Sequence, residues 1–365
     1  MAKKTTHNIF FGDSKKMTKV EDNSIDLIVT SPPYPMIEMW DDIMSLQNPY
    51  IKENLTTNPN LAFELMHQEL DKIWLECNRV LKDGGFLCIN IGDATRTING
   101  EFELFDNHSR IVHYCLSVGL KELPCIIWRK QTNAPNKFMG SGMMPNGAYV
   151  TLEHEYILIF RKGGKRPYKQ TSDKMLRRES SFFWEERNVW FSDLWDFKGT
   201  KQAINSNVTR ERNASFPFEL PHRLINMYSQ KGDIVLDPFV GLGTTMKAAM
   251  LNGRNFIGYD IDENLSSIIN DEIDAIDIDK YNGIIKNRFD SHLEFIRNRE
   301  SLKKEVKHFN ENFKCKVMTS QEVDMAFDYI ASIHKVAGDN LSYEVDYLEE
   351  TNLSELPFLT KGTLF

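Results

Sequence analysis

The stretch Asp233-Ile-Val-Leu-Asp-Pro-Phe-Val-Gly-Leu-Gly-Thr-Thr245 decides the fold. Its short apolar run, residues 233–236, reads as a buried strand, and the residues after the glycine loop, 244–252, read as a helix. Strand, glycine loop and helix form the winding unit of an open parallel sheet, which presents such loops to ligands beyond the carboxyl ends of its strands. Gly241 and Gly243 permit tight turns and close ligand approach, and Thr244 or Thr245 can cap the helix. Near the other end of the chain, Ser24-Ile-Asp-Leu-Ile-Val29 is a second buried strand, closed by Thr30-Ser-Pro-Pro-Tyr34. Two strand-end loops in one crevice suggest two substrates meeting there.

Outward from these motifs the α/β pattern continues. Residues 61–81 carry Leu61, Leu65, Leu70, Ile73, Trp74, Cys77 and Leu81 on one helical face, and Lys82-Asp-Gly-Gly85 is expected to stop that helix. A strand at 86–91, a helix at 109–118 and strands at 122–130 and 154–161 follow, the last two bracketing a Gly/Pro/Asn/Met-rich loop from Thr132 to Gly147. A loop of this length suits a DNA-facing or lid segment. Residues 163–215 lose periodicity while gaining basic and aromatic residues. The pattern resumes with a helix at 221–230 and a strand at 255–259, and after about residue 285 the chain reads as helical and charged.

The chain has 365 residues, 41% hydrophobic and 26% charged, an ordinary soluble globular composition. Its start, Met1-Ala-Lys-Lys-Thr-Thr-His7, lacks the apolar stretch of a signal peptide, and no apolar run suits a membrane span, so a cytoplasmic location is expected. Cys77, Cys88, Cys115, Cys125 and Cys315 include no Cys-x-x-Cys pair, and neither a metal site nor a disulfide framework is expected. The net charge of −8 is unevenly spread: Arg161 to Arg212 is rich in Lys and Arg, whereas 263–279 and 344–355 are acid-rich. Local charge decides where a polyanion docks.

Ser31-Pro32-Pro33-Tyr34 and Asp237 to Thr245 together resemble the motifs of amino-group DNA methyltransferases that use S-adenosylmethionine, of the permuted (β) class in which the catalytic motif comes first. Phe11-Gly-Asp-Ser14, His154-Glu-Tyr-Ile-Leu-Ile-Phe-Arg-Lys162, Phe216-Pro-Phe-Glu-Leu220 and Gly258-Tyr-Asp-Ile-Asp262 resemble family blocks in the expected order, so the likeness spans residues 7–265. It implies a Rossmann-like methyltransferase sheet, mostly parallel and doubly wound, with an inserted target-recognition region and a helical C-terminal extension. The implied divisions are 1–162 (catalytic half), 163–215 (target recognition), 216–284 (cofactor half) and 285–365 (extension).

The resemblance further implies that the amino acid portion of S-adenosylmethionine lies along Asp237, Pro238, Phe239, Gly241, Gly243 and Thr244. Asp260, with Asp262 as the alternative, is implied at the ribose, in keeping with an acid about 20 residues beyond a glycine loop. Asp13 is implied near the adenine, although Gly-Asp-Ser is also an ordinary turn and cap. Phe216 and Pro217 either wall the methionine end or pack the core. The block before them departs from the family: Arg212-Asn213-Ala-Ser215 stands where many similar enzymes have His-Pro.

An exocyclic amine is a poor nucleophile because its lone pair is conjugated into the ring. Ser31 and the Pro32 carbonyl can accept its two hydrogens and turn the lone pair toward the methyl donor. Pro32 and Pro33 stiffen the loop without adding N–H donors, and Tyr34 offers a stacking face to a base flipped from the duplex. Within the family that these motifs resemble, Ser-Pro-Pro-Tyr is more often associated with the 4-amino group of cytosine, and the resemblance implies that target, with the 6-amino group of adenine as the alternative. Attack at carbon 5 of cytosine would need a cysteine nucleophile; Pro124-Cys125 runs into a buried strand and reads as a packed thiol. Trp40 with Glu38, Asp41 and Asp42 either shapes the pocket or starts a helix, and Asn90, Asp93, His154 and Glu155 lie near the same crevice. Trp184, Trp190 and Trp195 read as core, with base contact as the alternative. The expected partners are double-stranded DNA and a cognate restriction endonuclease; a non-catalytic nucleic-acid-binding protein and an RNA or protein methyltransferase are the other readings.

Overall fold

The computed structural model describes residues 4–130, 139–199, 216–338 and 340–348. Part of the Thr132–Gly147 loop, the basic positions Lys201, Arg210 and Arg212, the Arg212–Ser215 stretch and most of the acidic run at 344–355 lie outside the described residues.

Ten strands form one sheet: β1 (Lys4–Phe11), β2 (Ile25–Thr30), β3 (Leu81–Ile91), β4 (Lys121–Arg129), β5 (His154–Arg161), β6 (Leu194–Asp196), β7 (Ile234–Asp237), β8 (Asn255–Asp260), β9 (Ile330–Val336) and β10 (Leu341–Tyr347). Their order is β6-β4-β5-β3-β2-β7-β8-β1-β10-β9. The central run β3-β2-β7-β8-β1 is parallel throughout. β5 runs antiparallel to both its neighbours, and β10 and β9 close the far edge antiparallel. The mostly parallel sheet agrees with the sequence reading.

Helices cover both faces, because β2 and its neighbours are apolar on both sides and each face needs a cover. On one face lie α1 (Pro59–Val80) and α2 (Asn107–Ser117), burying Ile73, Trp74, Cys77, Ile111 and Cys115. Asn58 caps α1 by accepting the Leu61 N–H, with Pro59 in the first turn. Full burial of a side chain such as Ile73 contributes about 1.5–3 kcal/mol. The other face is covered by α5 (Glu219–Tyr228), α6 (Thr244–Leu251), α7 (Leu265–Asp274) and α8 (Ile278–Ser301). α3 (Thr171–Glu179) and α4 (Trp184–Trp190) precede β6. Among the described residues no helix is long and apolar enough to cross a membrane.

Three expectations are corrected. The long helix ends at Val80 and β3 starts at once, so Lys82–Gly85 lies inside a strand, with Gly84 at φ +84° where a Cβ would stand 2.5 Å from the Arg166 nitrogen. The segment after residue 285 is helical only to Ser301; it then forms a hairpin (His308–Asn310 with Cys315–Val317) and β9 and β10, which extend the main sheet. β10 buries Leu341, Tyr343, Val345 and Tyr347 while its alternating acids face outward, Glu344 and Asp346 pairing with Lys4 of β1. Within 163–215, read as lacking periodicity, β6 adds to the sheet beside β4, and Trp184, expected in the core, is 36% exposed, whereas Trp190 and Trp195 are core as expected.

Candidate active site

β2 and β7 are parallel neighbours, with Leu27 opposite Val235 and Ile28 opposite Leu236. Their following loops, one carrying Ser31 and the other Gly241, therefore leave the same edge of the sheet side by side. A hydrogen-bond knot ties them: Thr30 Oγ1 donates to Asp237 Oδ1 at 2.7 Å, Thr245 Oγ1 to Oδ2 at 2.7 Å, and the Phe239 N–H to Oδ1 at 3.1 Å. Asp237 is buried, and desolvation pushes its pKa from the ordinary 3.8 up to about 6 against the pull of these donors. Its carboxylate thus organises the loop from within.

The loop backbone turns at Gly241 (φ +51°) and at Gly243 (φ +73°), which is the residue preceding α6. The capping position falls on Gly243, which has no side chain to cap with, and Thr245 Oγ1 is held by Asp237. Pro238 is buried, and Phe239 meets Trp74 edge-on at 6.2 Å. Asp260, at the end of β8, accepts the Gly241 N–H through Oδ2 and the Asp262 N–H through Oδ1, both at 3.0 Å, and burial raises its pKa. The Gly12 N–H donates to the Asp260 carbonyl, which brings the Phe11–Ser14 block to the same edge. Asp13 there caps a single turn through the Lys15 N–H. Phe216 and Pro217 are buried, Phe216 within the core cluster of the α5–α8 face.

On the other side, Ser31 is half-buried and its hydroxyl donates to the Tyr34 hydroxyl at 3.1 Å. Tyr34 is only 9% exposed, which leaves little ring open for stacking. Its hydroxyl donates to Glu155 Oε2 at 3.0 Å, and burial together with that carboxylate holds its pKa well above the usual value. Asn90 Nδ2 donates to both Tyr34 (2.8 Å) and Glu155 (2.6 Å), and the Lys130 ammonium pairs with Glu155 Oε1. After Pro35, Met36 takes a left-handed backbone (φ +63°) with its N–H on the Met66 sulfur. The structure thus brings together the residue sets assigned to the two motifs.

Other candidates are engaged in local structure of their own. Glu38–Trp40 and Asp41–Gln47 are helical, and Asp41 is held bidentate by Arg96. Asp93 is paired with His108. Cys125 is half-buried and burial raises its thiol pKa, as befits packing. Sequence reading gave Lys130 no role and left Glu155 at the margin; a glutamate within the apolar run of β5 was the available signal, since a buried charge requires partners.

A strand-end glycine loop knotted to a serine-proline loop, on a mostly parallel sheet, defines a methyltransferase-type site. A family model described as DNA methylase, for the N6/N4 enzymes, matches residues 25–271, and the chain belongs to this family: it is a DNA methyltransferase. It is 49% identical to the Type II methyltransferase M.MthZI of Methanothermobacter thermautotrophicus over 352 residues, covering 96% of this chain and 97% of the relative. It is 50% identical to the Type II methyltransferase M.MjaI of Methanocaldococcus jannaschii over 281 residues, covering 74% and 91%. Among solved structures, the putative DNA modification methylase TTHA0409 of Thermus thermophilus, complexed with S-adenosyl-L-methionine, matches with a TM-score of 0.55 and 30% identity over 73% of this chain and 94% of that one. The PvuII cytosine-N4-specific methyltransferase shares the fold, with a TM-score of 0.52 at 18% identity over 72% and 86%.

Proposed function

We propose that this protein transfers a methyl group from S-adenosylmethionine to the 4-amino group of a cytosine flipped out of duplex DNA, as the modification half of a Type II restriction–modification system. The observation that carries the reading is the adjacency of the Ser31 and Gly241 loops, joined through Thr30 and Asp237. The Type II names of the two relatives that match at about half identity support the biological setting.

The residues at the glycine loop fit the cofactor. Two left-handed glycines open the backbone at the start of α6, and the partly exposed Asp260 carboxylate offers acceptor capacity to hydroxyl groups beside them. Asp237, Pro238, Phe239, Gly241, Gly243 and Thr244 would line the amino acid portion, Asp260 the ribose and Asp13 the adenine; Phe216 and Pro217 stand in the core and would act by supporting the wall. When bound, S-adenosylmethionine supplies an electrophilic methyl on a sulfonium. The chain supplies everything else: Ser31 and the Pro32 carbonyl accept the amine hydrogens, Pro32 and Pro33 hold the loop rigid, and Tyr34 fixes Ser31 from behind.

The test is incubation with labelled S-adenosylmethionine and mixed-sequence duplex DNA, followed by mapping of the modified bases. Label in 4-methylcytosine at one recurring sequence supports the reading; label in 6-methyladenine replaces cytosine with adenine. An absence of base methylation across varied DNA overturns it.

A further inference from the structure

We propose that Glu155 is a positioning residue that fixes the direction of the hydrogen-bond chain behind Ser31, so that Ser31 meets the target amine as an acceptor. The inference rests on the functional reading above and adds to it the source of Ser31's polarity.

A serine hydroxyl carries one proton and two lone pairs, and it can meet an amine as donor or acceptor. Only the acceptor role helps here, because a proton given to the amine nitrogen would occupy the lone pair that must attack. The chain behind Ser31 removes the choice. Glu155 is buried and ion-paired with Lys130, and as a carboxylate it can only accept. The Tyr34 hydroxyl, 3.0 Å away, must therefore donate to it. Tyr34 then has two lone pairs left. One takes Asn90 Nδ2 and the other takes the Ser31 hydroxyl, which fills the tyrosine oxygen. The Ser31 proton is thus committed inward and its lone pairs remain for the cleft.

Asn90 agrees with this polarity. It turns its donor end to both Glu155 and Tyr34 and leaves its own buried Oδ1 without a partner among the described residues. Gly92 makes the geometry possible, since a Cβ there would stand 3.1 Å from the Tyr34 ring and 3.3 Å from Glu155 Cγ. A network this buried is costly unless all its members agree on direction.

The experiment measures single-turnover methylation of mixed-sequence duplex DNA for wild type, Glu155→Gln, Tyr34→Phe, Ser31→Ala and the doubles Glu155→Gln/Ser31→Ala and Glu155→Gln/Tyr34→Phe. Glu155→Gln can rotate to offer a donor, so the direction of the chain is lost. It is expected to lower the rate about 100-fold, the loss that a small misplacement at a reacting centre commonly costs, with unchanged cofactor affinity by titration calorimetry. In the Ser31→Ala and Tyr34→Phe backgrounds the same change should have no further effect, because Glu155 acts through both. A merely structural glutamate would instead add its loss in every background. A wild-type rate for Glu155→Gln, or additive losses in the doubles, overturns the inference. If Glu155→Gln proves poorly folded by thermal melt, Tyr34→Phe carries the test: it keeps the ring, and a wild-type rate there also overturns the inference. A wild type that methylates no DNA amine overturns the functional reading and this inference together.

Discussion

Thr30 and Asp237 lie at the ends of adjacent parallel strands, far apart in the chain, and the 2.7 Å hydrogen bond between them joins the base of the serine-proline loop to that of the glycine loop. Removing its donor while keeping its shape is the direct probe. Thr30→Val leaves a buried carboxylate short of a partner and is expected to cost about 1–3 kcal/mol of stability. Urea denaturation measures this, and cofactor affinity should fall with it because the glycine loop loses an anchor.

The same carboxylate predicts a pH dependence. Its folded pKa, about 6, exceeds the ordinary 3.8, so protonation is favoured by folding. That contribution to stability is fully present below the unfolded value and is lost as pH rises through the folded one. Asp237→Asn has no such titration. Relative to wild type, the variant should therefore gain stability as pH rises from about 4 to about 6 and hold a constant offset above about 7, in paired urea curves across that range.

Gly243 adopts φ +73°, and a Cβ there would meet Met246 Cε at 3.4 Å and Ile269 Cγ2 at 3.6 Å. Space is adequate, and the obstacle is backbone conformation. Gly243→Ala should cost about 1–2 kcal/mol, and Gly243→Asn less, since asparagine tolerates the left-handed region. Thermal unfolding of the two variants gives the ranking.

These residues also show what the sequence disclosed. Gly241, Gly243, Ser31 and the strands beneath them were legible because apolar runs closed by turn residues are local signals. The partnership of Thr30 with Asp237 was not, because it depends on which strands become neighbours. β10 shows a different failure. Leu341, Tyr343, Val345 and Tyr347 alternate as a half-buried strand should, but Glu344 and Asp346 between them gave the segment an acidic look. Their balance comes from Lys4, hundreds of residues away. Residues 163–215 read as a recognition region for a similar reason: aromatic and basic composition does not disclose that Leu194–Asp196 joins the sheet beside β4 with Trp195 in the core.

Gly92 offers a probe of the cleft that touches no polar atom. A methyl there would press on the Tyr34 ring and Glu155 at once. Gly92→Ala is expected to lower kcat about tenfold or more while leaving cofactor affinity unchanged, since small displacements at a positioned nucleophile site are costly. Steady-state kinetics with the cofactor and DNA varied separately would resolve the two.

DNA binding should be read through salt. Some of the basic residues from Arg161 onward are engaged in ion pairs within the protein: Arg166 with Asp26 and Asp233, and the exposed Arg178 with Asp324. Lys165, Lys169 and Lys174 are exposed and can meet phosphate, as can Arg177, Arg187 and Lys198 among the described residues. Each phosphate contact releases counterions, giving a slope of about −0.9 per contact in a plot of log affinity against log salt. Reversing one contributing lysine, as in Lys169→Glu or Lys174→Glu, should weaken binding to specific and non-specific duplexes alike and flatten that slope by about one. The equivalent change at Arg178 should instead lower thermal stability, because its charge faces Asp324, and should leave the slope in place.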